Sequence, residues 1–216
     1  KEIARQLAAE GLTVYVGSRD AGRGERAAGE IGGDARPLQL DVADAASVAA
    51  AAKQVGALDI LVNNAGISLD DKTPDQQGAD EFRQVYETNV FGVVAVTNAF
   101  LPALRRSAHP RIVNISSSTG SIAVAADRDA AGFAAYRSSK TALNMMTVLY
   151  AKALAADGVK VNALAPGLRK TDLNSRAAES GGDPAEAAAG AVRLALLPDD
   201  GPTGQFFSWD GTTVPW

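Results

Sequence analysis

The sequence predicts an α/β fold, a doubly wound parallel sheet with helices on both faces. Three observations predict it. Short apolar runs alternate with longer helical stretches along the 216 residues. The runs, such as Ile60-Leu61-Val62 and Ile112-Val113, lack the in/out alternation of a half-exposed strand, so both sheet faces are expected to be covered. Glycine and polar clusters fall where the runs end, which is where ligands bind in open α/β sheets.

The elements follow in order. Residues 1–10 place Ile3 and Leu7 on one helical face, and Gly11 ends the helix. Leu12 to Gly17 is rich in β-branched and aromatic residues and reads as a strand. A polar, alanine-rich helix follows over Ala21 to Ile31. Arg36 to Val42 is a strand, Ala45 to Val55 a helix, and Leu58 to Val62 a strand ending in Asn63-Asn64-Ala65-Gly66. Glu81 to about Ser107 reads as one long helix. Arg111 to Ile115 is a strand that runs into Ser116-Ser117-Ser118. Ala134 to about Ala156 is a helix with Leu143, Met146 and Leu149 near one face. Val159 to Leu164 is a strand broken by Pro166-Gly167, Pro184 to Leu196 a last helix, and Gln205 to Ser208 a last strand. No repeat or linker interrupts the series, so residues 1–216 read as a single domain. The chain opens inside its first helix, with neither an initiator methionine nor a cap ahead of it. The expectation is a domain incomplete at its N-terminus.

Composition narrows the chemistry. Hydrophobic residues make 46% and charged residues 21%, as in ordinary globular proteins and unlike disordered ones. The net charge of −4 gives no reason to expect nucleic acid or an anionic membrane as partner. No apolar run reaches the roughly 18 residues of a membrane span. No signal peptide is visible, so the default expectation is a cytoplasmic protein. The absence of cysteine excludes disulfides and thiol nucleophiles. The one histidine, His109, cannot build a multi-histidine metal site, and it reads as a loop or helix-end residue. No metal is expected.

Tyr136 and Lys140 carry the first chemical signal. Four residues apart on a helix, their side chains share a face. A phenol titrates near 10, and a nearby cation favours the phenolate. Moving it to neutrality takes about 4 kcal/mol, which one ammonium and a cationic ring together could supply. Taken alone, the pair is equally an exposed helix pair.

The surrounding motifs change that reading. Leu40-Asp41-Val42, Asn63-Asn64-Ala65-Gly66, Asn89 in Thr-Asn-Val-Phe-Gly, Ile115-Ser116-Ser117, Tyr136 to Lys140, and Pro166-Gly167 with Thr171 stand in one order. In that order the chain resembles the short-chain dehydrogenase/reductase family, over essentially its whole length and with a carbonyl-reductase-like ending. The resemblance implies a Rossmann-like fold and hydride transfer between a nicotinamide cofactor and a carbonyl or alcohol. It implies a catalytic tetrad of Asn89, Ser117, Tyr136 and Lys140. Tyr136 would be general acid or base, and Ser117 would hold the substrate oxygen. Lys140 would bind the nicotinamide ribose and lower the phenol pKa, and Asn89 would hold a water in a proton relay. Asp41 and Val42 would contact adenine and Thr171 the carboxamide. Asn63, Ala65, Gly66, Pro166 and Gly167 would complete the cofactor groove.

Two departures stand out. Tyr136 follows Ser117 by 19 residues, a longer gap than is usual in the family, so a loop is inserted over Ala123–Ala135. Insertions of this kind occur in monomeric members, and monomer and homo-oligomer both stay open. Ser116 or Ser118 could also face the site in place of Ser117. The second departure is the missing opening. The family begins with a central strand and a glycine-rich turn that holds the pyrophosphate, and Gly11, Gly17, Gly22 and Gly24 do not reproduce it. Two strands are therefore expected to lack a partner.

At the end of the second strand of that fold an acid marks NAD(H) and an arginine NADP(H). Ser18 holds the acid's place here and Arg19 follows, which favours NADP(H) over NAD(H). Asp20 either turns to the ribose or caps the next helix. The substrate is expected to be a small-molecule carbonyl or alcohol, in a pocket bordered by Ser68–Gly78 and Leu168–Gly182. Trp209 and Trp216 either line that pocket or pack on the sheet edge. A cofactor-binding sensor or scaffold without turnover is the alternative to an enzyme, although it has no need of all four tetrad residues.

Overall fold

The computed structural model describes residues 1–171, 173 and 181–216. Its strands are β1 (Val14–Ser18), β2 (Ala35–Gln39), β3 (Ile60–Asn63), β4 (Arg111–Ile115), β5 (Lys160–Ala165) and β6 (Phe206–Ser208). Its helices are α1 (Glu2–Ala9), α2 (Ala21–Ile31), α3 (Ala45–Gln54), α4 (Ala79–Tyr86), α5 (Gly92–Leu104), α6 (Ile122–Ala126), α7 (Ala134–Ala153) and α8 (Pro184–Ala195). All strand pairs are parallel.

Helices cover both faces, as the unbroken apolar runs require. On one face α1 packs on α8 over Leu7, Val113, Leu164, Ala191 and Leu194. On the other, α5 and α7 bury Leu104, Ile112, Tyr150 and Val161. A third cluster joins β2, α3 and α5 through Leu38, Val48, Val55, Val96 and Phe100. Each fully buried Leu, Val or Phe in these layers is worth about 1.5–3 kcal/mol.

The sheet is not continuous. Strands β1 and β2 form one pair, and β3-β4-β5-β6 form a separate four-stranded sheet. Between β1 and β3 runs a cavity of about 850 Å³, walled by Val14, Val16, Ile60 and Val62 and roofed by Ile3, Ala4 and Leu7 of α1. Each strand turns an open hydrogen-bonding edge toward it. This is the geometry of a parallel sheet that lacks a central strand, and it matches the expectation of two unpartnered strands.

Two elements differ from the sequence expectation. The long helix after residue 79 is interrupted by a wide π turn, Glu87–Phe91, between α4 and α5. The inserted loop before α7 folds partly into α6, capped by the Ser121 hydroxyl, which accepts from Val124 N at 3.0 Å. No described helix is long and apolar enough to cross a membrane.

Candidate active site

The carboxyl ends of β3, β4 and β5 gather the predicted residues. Tyr136 lies in the first turn of α7, and Lys140 follows one turn later. The Lys140 ammonium is buried and donates to Ile115 O at the end of β4, 2.8 Å away. It lies 5.7 Å from the centre of the Tyr136 ring. Burial in apolar surroundings lowers the Lys140 pKa to about 8. Burial also pushes the Tyr136 phenol above its usual value, and a hydrogen bond with the Ser117 side chain pulls it partly back. The sequence expectation that Lys140 lowers the phenol is therefore not met by these residues alone, because desolvation dominates.

The three serines after β4 separate cleanly. Ser116 is buried, and its hydroxyl donates to Asn144 Oδ1 at 2.5 Å. Ser117 faces Tyr136, and its Oγ is 2.9 Å from Thr119 Oγ1. Ser118 opens a short turn over Ser118–Gly120. Ser117 is thus the serine next to the phenol, while Ser116 points into the protein.

Asn89 sits in the π turn and is fully buried. Its Oδ1 accepts from Ile67 N at 2.8 Å, and its Nδ2 donates to Ile67 O and Ser139 Oγ, both at 3.0 Å. The π turn has a local use, since it aims Asn89 at the loop after β3 and at α7 together. A Cβ on Gly66 would sit 3.4 Å from Asn89 Oδ1 and 3.5 Å from Lys140 Nζ, so Gly66 passes between the two side chains.

The cofactor residues line a groove continuous with the cavity between β1 and β3. Its walls include Ser18, Arg19, Asp41, Val42, Asn63, Ala65 and Gly66. Asn63 lines the groove while its side-chain amide turns away from it. Its amide is buried and donates to Thr97 Oγ1 at 3.1 Å and Asn114 Oδ1 at 2.9 Å, tying β3 to α5 and β4. Val42 is met at about 3 Å by the position a Cβ on Gly92 would take, so only glycine lets α5 pass there. Asp20 caps α2 by accepting from Arg23 N at 2.7 Å, which is the helix-cap alternative. Arg19 also borders a second hollow, of about 480 Å³, with Gln39, Asp41 and Ser47. Pro166 and Gly167 follow β5, with Gly167 in the left-handed region at φ 70°. Thr171 is exposed, and of the Leu168–Gly182 loop residues 172 and 174–180 lie outside the described residues.

A nicotinamide cofactor fits this site in part. Gly66 passes close to the Lys140 ammonium at one end of the groove. Arg19, Asp41 and Val42 line the other end. The described residues supply no glycine-rich turn between these two groups, and α1 begins at Glu2 without a side-chain cap.

Several residues escaped sequence reasoning. Arg169 is almost wholly buried, stacked 4.3 Å over Trp209, bonded to Pro166 O at 2.7 Å and paired with Glu186 at 3.0 Å. Its Nη2 finds no partner among the described residues. Arginines are mostly surface residues, so composition hides such a position. Gln77 accepts from Ala135 N at 2.8 Å and so caps α7 just before Tyr136. Trp216 stacks on Phe206 at 5.3 Å, so both tryptophans pack. His109 is exposed beside Asp199, whose carboxyl is held below its usual range mainly by Arg111 and then by His109.

Comparison with known proteins agrees with this geometry. The short chain dehydrogenase family model matches residues 1–181. (−)-Isopiperitenone reductase of Mentha piperita is 32% identical, over 97% of this chain and 92% of that protein. The NADPH-bound carbonyl reductase from chicken fatty liver superposes with a TM-score of 0.81 at 28% identity, covering 100% of this chain and 96% of the other. The 3-ketoacyl-(acyl-carrier-protein) reductase of Brucella melitensis, complexed with NADH, superposes with a TM-score of 0.84 at 26% identity, covering 96% and 90%. With Tyr136 and Lys140 on α7, Asn89 in the π turn and Ser117 after β4 gathered at one end of a parallel sheet, and the family model matching most of its length, the chain belongs to the short-chain dehydrogenase family of oxidoreductases.

Proposed function

We propose that the protein reduces a carbonyl compound with NADPH, or oxidises the corresponding alcohol with NADP⁺, using Tyr136 as the proton-transferring group. The observation that supports it best is the cluster around the phenol: Ser117 beside it, Lys140 buried behind it, and Asn89 one contact further in. The nicotinamide supplies the hydride. Tyr136, kept protonated at neutral pH by burial, gives its proton to the carbonyl oxygen as the alkoxide forms. Ser117 donates to the same oxygen and holds it within reach of the phenol. Lys140, anchored on Ile115 O, keeps a positive charge beside the phenol at neutral pH and returns a proton through the Asn89 side of the site.

Arg19 favours NADP(H), since it lines the groove while Asp20 is committed to the α2 cap. The NADPH-bound carbonyl reductase supports that choice, and the NADH complex of the Brucella protein shows that the fold also takes NADH. The name of the chicken carbonyl reductase supports a carbonyl substrate. A non-catalytic reading draws on the open slot between β1 and β3, where the described residues supply no glycine-rich turn for the pyrophosphate. NADPH oxidation over a panel of carbonyl compounds, with Tyr136→Phe as control, tests the proposal. Activity that survives Tyr136→Phe would remove Tyr136 from its role.

A further inference from the structure

The loop that carries Ser117 is fastened to the helix that carries Tyr136 at both of its ends, and one side chain makes both attachments. Asn144 is one turn beyond Lys140 on α7 and is buried. Its Oδ1 accepts from Ser116 Oγ at 2.5 Å, just before Ser117. Its Nδ2 donates to Gly120 O at 3.2 Å, just after the turn. Between those two points the chain closes on itself, with Gly120 N donating to Ser117 O at 2.9 Å. Thr141 Oγ1 adds a second donor to Gly120 O at 2.8 Å. A Cβ on Gly120 would fall 2.6 Å from Lys140 Cβ, so the loop lies directly on the helix backbone and only glycine permits it.

We propose that Asn144 is a positioning residue that fixes Ser117 against Tyr136, by gripping Ser116 and Gly120 on either side of it. The chemistry asks for an amide. One end must accept from a serine hydroxyl and the other must donate to a backbone carbonyl, and among side chains of this length only asparagine offers both. Leucine of the same size offers neither: it would take the Asn144 acceptor from the Ser116 hydroxyl and leave Gly120 O held by Thr141. The 19-residue separation of Ser117 from Tyr136 makes such a clamp useful, because the longer insert cannot hold the serine by chain connectivity.

This inference rests on the proposed role of Tyr136, but its test does not need turnover. The phenolate absorbance of Tyr136 is titrated as the difference between each protein and the same protein carrying Tyr136→Phe. Ser116→Ala and Asn144→Leu are compared with Val192→Ala, a core truncation in α8, outside both the loop and α7. The clamp variants should raise the Tyr136 midpoint by about one pH unit, the equivalent of one hydrogen bond lost from Ser117, and Val192→Ala should leave it in place. In a Ser117→Ala background the clamp variants should have no further effect, since they act through Ser117. Where Asn144→Leu does not fold, Ser116→Ala decides. An unmoved midpoint in the clamp variants, an equal shift in Val192→Ala, or a persistent shift without Ser117 overturns the proposal. Turnover surviving Tyr136→Phe would instead strike the function and leave the titration intact.

Discussion

The two halves of this molecule are built to different degrees of completion. In the half formed by β3 to β6, α5 and α7, the strands are paired in register. A chain of buried amides and hydroxyls also runs from Asn63 through Asn114 to Thr147, every contact being 2.9 Å. In the half formed by β1, β2, α1 and α2, the strand pair stands apart and faces a cavity of about 850 Å³. The groups proposed for proton transfer sit in the first half. The groups proposed for the adenosine end of the cofactor border the second. The difference teaches that the chemistry of this fold can be assembled independently of its phosphate cradle, because α7 and the loop after β4 are held by their own contacts.

The predictions follow that contrast from largest to smallest. Tyr136→Phe should cost about 10²- to 10⁴-fold in kcat for carbonyl reduction, with little change in Tm, as expected of a lost general acid. Steady-state kinetics with thermal melts checks it. Next comes cofactor affinity: the chain as described should bind NADPH more weakly than micromolar, because nothing described cradles the pyrophosphate. Isothermal titration checks this, and micromolar binding would erase the contrast between the halves.

A smaller effect concerns Lys140. Its folded pKa of about 8 lies below the unfolded value near 10.4, so below pH 8 the buried charge costs stability. That cost is relieved as pH rises from about 8 to about 10.4, where only the unfolded chain still holds the proton. Lys140→Met should therefore be more stable than wild type at pH 7 by up to about 3 kcal/mol. The advantage should shrink toward pH 10, as read by urea unfolding across pH. Smaller again is Arg19→Ala, expected to lower the NADPH-over-NADH preference in kcat/KM by about 10-fold, the worth of a charge-assisted bond. Amide hydrogen exchange then sharpens the comparison by a ranking. Amides of β1 should exchange faster than those of β4 and β5, since their free edge faces a cavity.

Much of this was legible in the sequence, and the reasons differ by element. Strands such as Arg111–Ile115 could be read because burial on both faces leaves no alternation. The pairing of Tyr136 with Lys140 followed from helical periodicity alone. The split between β1 and β3 was expected because no residues in the chain could supply a central strand with its glycine turn. The π turn at Glu87–Phe91 could not be read, since a one-residue change in helix winding leaves no compositional mark. Asn63 was placed in the cofactor groove from its motif, while its amide turns inward to Thr97 and Asn114. Arg169 and Asn144 were invisible for a related reason. Polar side chains reveal their role only once the fold shows which buried groups they satisfy.

The most direct test of the central claim is the rate of NADPH-dependent carbonyl reduction by Tyr136→Phe against the unaltered protein, both folded at the assay temperature. The account predicts loss of about 10²- to 10⁴-fold in that variant. A rate within a few-fold of the unaltered protein would contradict it.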